Sequence, residues 1–340
     1  MERVLRIDGI LLLWPFMVPS VATGAWMTIE QIQSNTVDGD ASVYDRQLLN
    51  CLGGVVTSKF AGWRPRVILW DPDASDGWGA VQVKDWTVGD LFNQVQPGDW
   101  VRLANVEVEE FRGNTFLQWY SSNDPTYEIT SRGHPLPDPV LLSAGDLAAP
   151  IERPGEACEW CVDDHDAEPY EAMRVMVRDV TVTAMNLGKA QDNYNLHSST
   201  GDDCWAADYM NADVQPSGYH AYVGMGRHFC AVSGTLEQYT QTGDGWDYDQ
   251  IVTMSTADLA ICDDGDHDGD VDLDDLPRFR ACITGAACHD VTVACHPPAW
   301  TRPPIGLTLE GCVMMDLDFD GDVDLRDFAG LQATFGETAR

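Results

Sequence analysis

The sequence predicts a mainly β protein, two small closed barrels followed by a short acidic module of two loop–helix repeats. Three observations point there. Short runs of alternating apolar and polar residues, broken by Gly, Asn and Asp turns, fill residues 28–145, which is the mark of half-buried strands. After a stretch dense in proline, the same order of elements starts again. Near the C-terminus a twelve-residue pattern rich in aspartate occurs twice. The chain has 340 residues, 44% of them hydrophobic and 12 of them Trp, enough for two or three domains with packed cores. Its 20 basic and 55 acidic residues give a net charge of −35. That balance argues against nucleic acid as a partner and against a polybasic membrane patch, both of which need clustered Lys and Arg. No apolar run reaches the roughly 18 residues of a membrane-spanning helix.

Residues 1–25 read as a secretory signal peptide. Arg3 and Arg6 open it, Ile10 to Val18 is apolar, and the small residues Ser20, Ala22, Thr23, Gly24 and Ala25 suit cleavage. The expected location is therefore secreted or at the cell surface. Ten cysteines, an even number, fit disulfides in an exported chain, although sequence does not pair them. Cys158 and Cys161, followed by His165, could instead hold zinc. A zinc site needs a second ligand pair, and none stands nearby, so a disulfide is the default.

The first barrel is expected over residues 26–146. Its strands are Leu48 to Phe60, Arg66 to Trp70, Ala80 to Val83 and Trp100 to Leu103, then a hairpin of Val106 to Glu109 with Thr115 to Gln118, and a short helix lies over Val88 to Val95. Turns fall at Asp71-Pro72-Asp73, Pro97-Gly98-Asp99 and Arg112-Gly113-Asn114. Five short strands with a helix between the third and fourth suit a small closed barrel. Pro135, Pro137, Pro139, Pro150, Pro154 and Pro169 mark a connecting stretch rather than a packed element, with the linker itself at residues 147–168. Its polar cluster, Asp163-Asp164-His165-Asp166, reads as solvated loop. A second barrel follows at residues 169–261, opening on Ala172 to Thr183. Weaker strands lie at Asp192 to Leu196 and Ala206 to Tyr209, and Cys230 to Tyr239 pairs with Gln250 to Met254 around Gly243-Asp244-Gly245.

These segments carry a resemblance. Pro97 to Leu103 followed by Val106-Glu107-Val108 looks like the fourth and fifth strands of an OB-fold barrel, and Glu168 to Val175 resembles the opening strand of OB-like modules in secreted bacterial nucleases. Those larger proteins carry a separate nuclease domain that has no counterpart here, so the resemblance implies a fold and no catalysis.

Residues 262–340 hold 17 acidic and 5 basic side chains and contain the strongest chemistry. Asp264, Asp266, Asp268, Asp270, Asp272 and Asp275 fall at positions 1, 3, 5, 7, 9 and 12 of one loop. Asp316, Asp318, Asp320, Asp322, Asp324 and Asp327 fall at the same positions of another. Both loops carry Gly at position 6 and Val at position 8. Calcium takes several oxygen ligands, and a twelve-residue loop supplies them at these positions. Two bound Ca²⁺ are expected. Position 12 is Asp rather than the longer Glu of most EF-hand loops. This Asp-ended pair resembles a type I dockerin module, in which one helix follows each loop; Leu276 to Ile283 and Phe328 to Phe335 match. The resemblance implies a cohesin-like partner contacted through positions 10 and 11, which are Leu273 and Asp274, then Leu325 and Arg326.

Residues 28–261 contain no Gly-x-Ser-x-Gly elbow, no His-Glu-x-x-His helix and no phosphate-binding loop, so the sequence offers no catalytic motif. The expected protein is exported, non-catalytic and calcium-binding, and attaches to a cohesin-like protein or surface assembly through its C-terminal module. The alternative is a component of extracellular polysaccharide breakdown whose barrels recognise carbohydrate on rings such as Trp63, Trp70, Trp78, Trp86, Trp100 and Trp119. Exposed rings in a row would favour the alternative, and buried rings a scaffold.

Overall fold

The computed structural model describes residues 26–34, 41–62, 64–74, 77–86, 90–163, 165–214, 218–262, 264, 271–283, 312, 315–317 and 323–334. The segment read as a signal peptide, Trp63, Cys288 and Cys295 lie outside them. So do six of the twelve loop aspartates: Asp266, Asp268, Asp270, Asp318, Asp320 and Asp322.

The first sheet is built from β1 (Trp26–Met27), β2 (Leu48–Phe60), β3 (Arg66–Trp70), β4 (Ala80–Asp85), β5 (Trp100–Phe111), β6 (Asn114–Trp119) and β7 (Thr126–Ser131), with helices α1 (Ile29–Gln33) and α2 (Asp90–Gln94). β2 runs antiparallel to β3, β3 to β4, and β5 to both β6 and β2, while β4 and β6 are parallel. The five strands therefore close, with α2 between the third and fourth, which is the arrangement of an OB barrel. Alternation decides what faces in. Val67, Leu69, Val81 and Val83 fill the barrel with Val101, Leu103 and Leu117, while α1 and α2 add Ile29, Ile32 and Leu91 at the core.

β2 serves both β3 and β5, so it must bend. Its register against β5 shifts twice between Leu49 and Gly54. Gly53 has φ +80°, and a Cβ there would stand 1.6 Å from the Val101 carbonyl oxygen. Only glycine permits that approach. Gly53→Ala is expected to cost roughly 3 kcal/mol or more in urea unfolding, from left-handed strain and the clash together. A loss under about 1 kcal/mol would contradict the close approach.

The second sheet repeats the order. It comprises β8 (Val140–Leu141), β9 (Ile151–Glu152), β10 (Trp160–Cys161), β11 (Arg174–Leu187), β12 (Asn193–Ser198), β13 (Asp203–Ala207), β14 (His228–Gln241), β15 (Trp246–Val252) and β16 (Leu259–Ala260), with α3 (Ala144–Leu147). β11, β12, β13, β15 and β14 close in the sequence of pairings seen in the first sheet, again with one parallel pair, β13 with β15. Tyr194, Leu196, Cys204, Phe229, Val232 and Ile251 lie in its core. The third strand ends earlier than its sequence predicts, at Ala207. There Asp208 is fully buried and draws the chain into a turn: it accepts from the Tyr194 hydroxyl at 3.0 Å, Thr253 Oγ1 at 2.8 Å and the His220 N–H at 2.8 Å.

The proline-rich connection is more structured than its composition predicts. β8 pairs with β11, and β9 and β10 extend the sheet beyond β15. The paired residues Ile151, Glu152, Trp160 and Cys161 are not prolines, so the ladder loses no donor; proline is excluded only from the paired positions. Trp160 stacks on Trp246 with centroids 6.3 Å apart, and Cys158 is joined to Cys161 by a disulfide.

The hairpin between β5 and β6 turns on Arg112 and Gly113, both at positive φ, and its tip enters the second barrel. The Thr240 N–H donates to the Arg112 carbonyl at 2.9 Å. The Asn114 side chain accepts from the Gln238 N–H at 3.1 Å and donates back to the Gln238 carbonyl, so it pairs with that backbone as a strand would. The outward side chains Trp70 and Ala80 meet Ala172 and Met173. β4 is thus buried on both sides, against its own barrel and against the next.

Candidate functional site

Helix α4 (Leu276–Cys282) follows the first acidic loop and α5 (Leu325–Thr334) the second. α5 begins three residues before the predicted Phe328 because Asp324 caps it: the Arg326 N–H donates to Asp324 Oδ1 at 2.7 Å. The two loops share their described geometry. The Asp274 N–H donates to Asp272 Oδ1 at 2.7 Å, the counterpart of the Arg326 bond. The Asp272 N–H reaches Asp275 Oδ2 at 2.6 Å, and the Asp324 N–H reaches Asp327 Oδ2 at 2.7 Å. The Leu317 N–H adds a bond to Asp327 Oδ1 at 2.6 Å. Positions 1 and 12 of both loops are buried: Asp264 is 1% exposed, Asp275 1%, Asp316 0% and Asp327 1%.

Among the described residues, no group of three or more His, Cys, Asp or Glu side chains converges on one point. Positions 3, 5 and 7 of each loop lie outside those residues. The described loop side chains that could serve a cation are carboxylates, hard oxygen groups of the kind Ca²⁺ prefers over a thiophilic metal.

The position-10 leucines stand out: Leu273 is 67% exposed and Leu325 83%. At Leu325 an apolar groove of about 610 Å³ runs between the helices, lined by Leu276, Phe279, Ile283, Leu325 and Phe328, with Arg280 and Asp324 as its charged members. Phe279 and Phe328 touch across it, centroids 5.5 Å apart. Sequence reasoning missed the groove, although Phe279 and Ile283 lie four apart, the spacing that puts them on one helical face.

The module does not hang free of the barrels. Val271 and Val323, the position-8 residues, join Phe279, Met315 and Leu331 in one cluster with Met176, Cys230, Ala231 and Ala260 of the second barrel. A Cys230–Cys262 disulfide crosses the same junction, and Cys282–Cys312 ties α4 to the segment before the second loop. Arg178 of β11 pairs with Asp316 at 3.0 Å. Cys51 and Cys204 are free thiols in the barrel cores, and burial pushes Cys51 up to about 12.

The barrels offer no row of exposed rings among the described residues. Trp70 and Trp119 are each 4% exposed, and Trp205 is also 4% exposed beneath the connection's Val162 and Trp160. OB barrels bind ligands on their second and third strands. In the first barrel that face carries Arg66, Gln82 and Lys84 and packs against the second. Arg66 pairs with Glu237 at 2.6 Å, and Gln82 donates to the same oxygen at 2.7 Å. Lys84 lies 3.2 Å over the Phe116 ring, and burial and the neighbouring Arg66 drag its pKa down to about 7.

The cluster predicted to be solvated contains a buried clamp. His165 is 8% exposed, with Nδ1 3.2 Å from Asp249 Oδ2 and Nε2 3.1 Å from Asp247 Oδ1. Burial opposes its charge, but the hydrogen bonds it donates to Asp247 and then to Asp249 override burial and raise its pKa to about 10. Both aspartates come from β15, more than eighty residues away, which is why the local sequence gives no sign of the clamp. Glu171 is likewise buried: it accepts the Thr115 N–H at 3.0 Å, and burial followed by Glu168 and Glu110 pushes its pKa well up.

No protein-family description matches the chain, and no curated protein does. Solved structures similar to it include an OB domain from Methanosarcina mazei, with 15% identity over 26% of this chain and 78% of that one and a TM-score of 0.21. An OB domain from Thermoplasma acidophilum has 16% identity over 33% of this chain and 92% of that one, with a TM-score of 0.20. Fission yeast Pot1 with single-stranded DNA has 12% identity over 61% and 79%, with a TM-score of 0.24. At these identities and scores the likeness goes no further than the barrel topology already described.

Proposed function

We propose that the chain is an exported anchoring protein whose C-terminal module binds two Ca²⁺ and docks, as dockerin modules do, onto a cohesin-like partner or surface assembly. The two barrels are its rigid, non-catalytic body. One observation carries the reading: the carboxylates that open and close each twelve-residue loop are buried, at 0–1% exposure. A buried carboxylate needs hydrogen-bond donors or a cation; loop N–H groups serve Asp275 and Asp327 and Arg178 serves Asp316, and Ca²⁺ in each loop would add a counter-charge to these. The exposed Leu325 and the groove it lines supply an apolar contact flanked by charge, the make-up of a protein-binding patch. Disulfides accord with export.

Carbohydrate recognition is the rival, and among the described residues the outer face of the second barrel is where it would sit. On β12 and β13 of the second barrel, Asn195 and His197 share Asp203 Oδ1, with His197 at 3.0 Å, on an exposed polar face. That face lacks an exposed ring for a sugar to stack on, since Trp205 is covered. DNA is bound in the structures of Pot1 and of a replication protein A heterotrimer. Here 38 acidic and 15 basic residues before position 262 oppose such a partner.

Calorimetric titration of the whole chain with CaCl₂ tests the reading. Two sites are expected, one lost in Asp264→Ala and the other in Asp316→Ala. In calcium, Leu325→Asp should weaken capture by purified cohesin domains at least about tenfold, the effect of one desolvated anchor. No calcium uptake would overturn the anchor reading, and a polysaccharide that binds the chain with His197→Ala as a null would establish the rival.

A further inference from the structure

Cys262 stands beside a histidine for a topological reason. β16 runs antiparallel to β14 with Ala260 opposite Ala231, so Cys262, two residues further on, comes level with Phe229, between His228 and Cys230. His228 and Cys230 are alternate residues of β14 and share one of its faces. The Cys230–Cys262 disulfide therefore has an imidazole against one of its sulfurs, with His228 Nδ1 3.7 Å from Cys262 Sγ. The other ring nitrogen is held: Nε2 lies 2.8 Å from Asp179 Oδ1 on β11, where the backbone is left-handed at φ +50°. Burial opposes the Asp179 charge, but bonds from Ser199 and His228, together with the Arg178 charge, hold its carboxyl below the ordinary range. An ionised Asp179 takes the Nε2 proton as its hydrogen bond and leaves the Nδ1 lone pair facing sulfur. The two sulfurs differ in access. Cys230 is buried in the seam with Met176 and Phe279, whereas Cys262 is partly buried at its edge and the His228 side chain is 45% exposed.

We propose that Cys262 is the reactive thiol of this junction: in the reduced chain His228 takes its proton, Asp179 positions the imidazole, and the thiolate attacks a low-molecular-weight disulfide. In the first step the Cys262 S–H proton passes to His228 Nδ1 and a bond forms between Cys262 Sγ and one sulfur of the compound. The other sulfur leaves as a thiolate and takes the proton from the imidazolium. In the second step the Cys230 sulfur bonds to Cys262 Sγ, and the second thiolate leaves with the Cys230 proton. Two protein thiols are oxidised to one disulfide, and the compound is reduced to two thiols. The order of events follows from access, since the oxidant meets Cys262 before it can meet the buried Cys230. Cys51 and Cys204 take no part, because burial raises both thiols, Cys51 to about 12. The inference is independent of calcium in the loops. It makes the fastening between the second barrel and the C-terminal module a chemically addressed one, closed from the Cys262 side.

The test uses the full chain as Cys230→Ala, which leaves Cys262 a thiol, and oxidised glutathione as the probe. Peptide mass spectrometry reads the rate at Cys262 itself. Near pH 6 that rate should be about tenfold higher than in the same chain carrying His228→Gln, because only the imidazole supplies thiolate there. Above about pH 9.5 the thiol ionises unaided, and the two rates should agree within about twofold. Asp179→Asn should lose part of the rate near pH 6 and converge in the same way, a pH signature that a purely structural role for Asp179 would not give. Equal rates near pH 6 with and without His228, or a gap of the same size at both ends of the range, overturn the proposal. If Cys230→Ala does not fold, the unaltered chain decides. It is opened with a limiting amount of dithiothreitol, reclosed with oxidised glutathione and quenched in acid. Glutathione trapped on Cys262 is the expected result, and glutathione trapped on Cys230 instead overturns the assignment.

Discussion

Glu237→Gln is expected to destabilise the chain by about 3–5 kcal/mol, the cost of leaving a buried cation without its counter-charge. Glu237 sits on β14 of the second barrel and is the hub of the inter-barrel contact. Its Oε1 accepts from Arg66 at 2.6 Å and from Gln82 at 2.7 Å, and its Oε2 accepts from the Tyr209 hydroxyl. The carboxylate is 5% exposed and the guanidinium 20%. Burial alone would lower the Arg66 pKa, and the Glu237 charge more than reverses this. Without that charge Arg66 must either stay buried and unpaired or leave, and leaving opens the seam over Gln82 and Lys84. The double variant Arg66→Leu, Glu237→Leu removes both charges and should recover more than half of the loss, because the penalty belongs to the broken pair. Chemical unfolding measures the loss, and small-angle scattering reports whether the barrels separate. A single-variant cost under about 1 kcal/mol would place the seam's strength in its apolar contacts instead.

The contrast between what the sequence reveals and what it hides follows the range of the contacts. Strands such as β3 and β4 are legible because alternation is a local property: Val67 and Leu69 face one way, Arg66 and Trp70 the other. The hairpin at Arg112-Gly113 is legible from its turn residues. The position-10 leucines follow from counting along a twelve-residue loop. What a polar residue on the outer face touches is not local. Arg66 finds Glu237 171 residues away, and Arg178 finds Asp316 138 residues away. No spacing rule distinguishes Arg178 from Arg174 on the same strand, yet Arg174 pairs with Asp258 within the second-barrel region and Arg178 reaches the acidic loop. The proline-rich connection misleads for the same reason. Its composition describes the backbone, while its structure comes from Trp160 on Trp246 and His165 on β15.

Alkaline pH should release that connection. The His165 pKa is raised from 6.5 to about 10, so between those values the folded chain holds a proton that the unfolded chain has lost. The stabilisation is complete below pH 6.5 and disappears as pH climbs through about 10. Asp247, the partner at Nε2, is the same interaction seen from the other side: burial opposes its charge, and His165 brings its pKa down. Other groups titrate in the window. Lys84, lowered to about 7, stabilises the fold as pH rises, and Cys51, raised to about 12, destabilises it above the ordinary thiol range. These contributions are common to the parent chain and to His165→Gln, so the difference between the two isolates the clamp. That difference should be on the order of 3 kcal/mol near pH 6 after allowance for screening, and should shrink toward zero near pH 10. The connection should loosen before the barrels melt, because β9 and β10 are two-residue strands at the sheet edge. Amide exchange at Trp160 and Val162 should therefore accelerate in the same window in the parent chain and be fast at every pH in the variant. A stability difference that stays constant from pH 6 to pH 10 would mean that His165 is neutral in the folded chain.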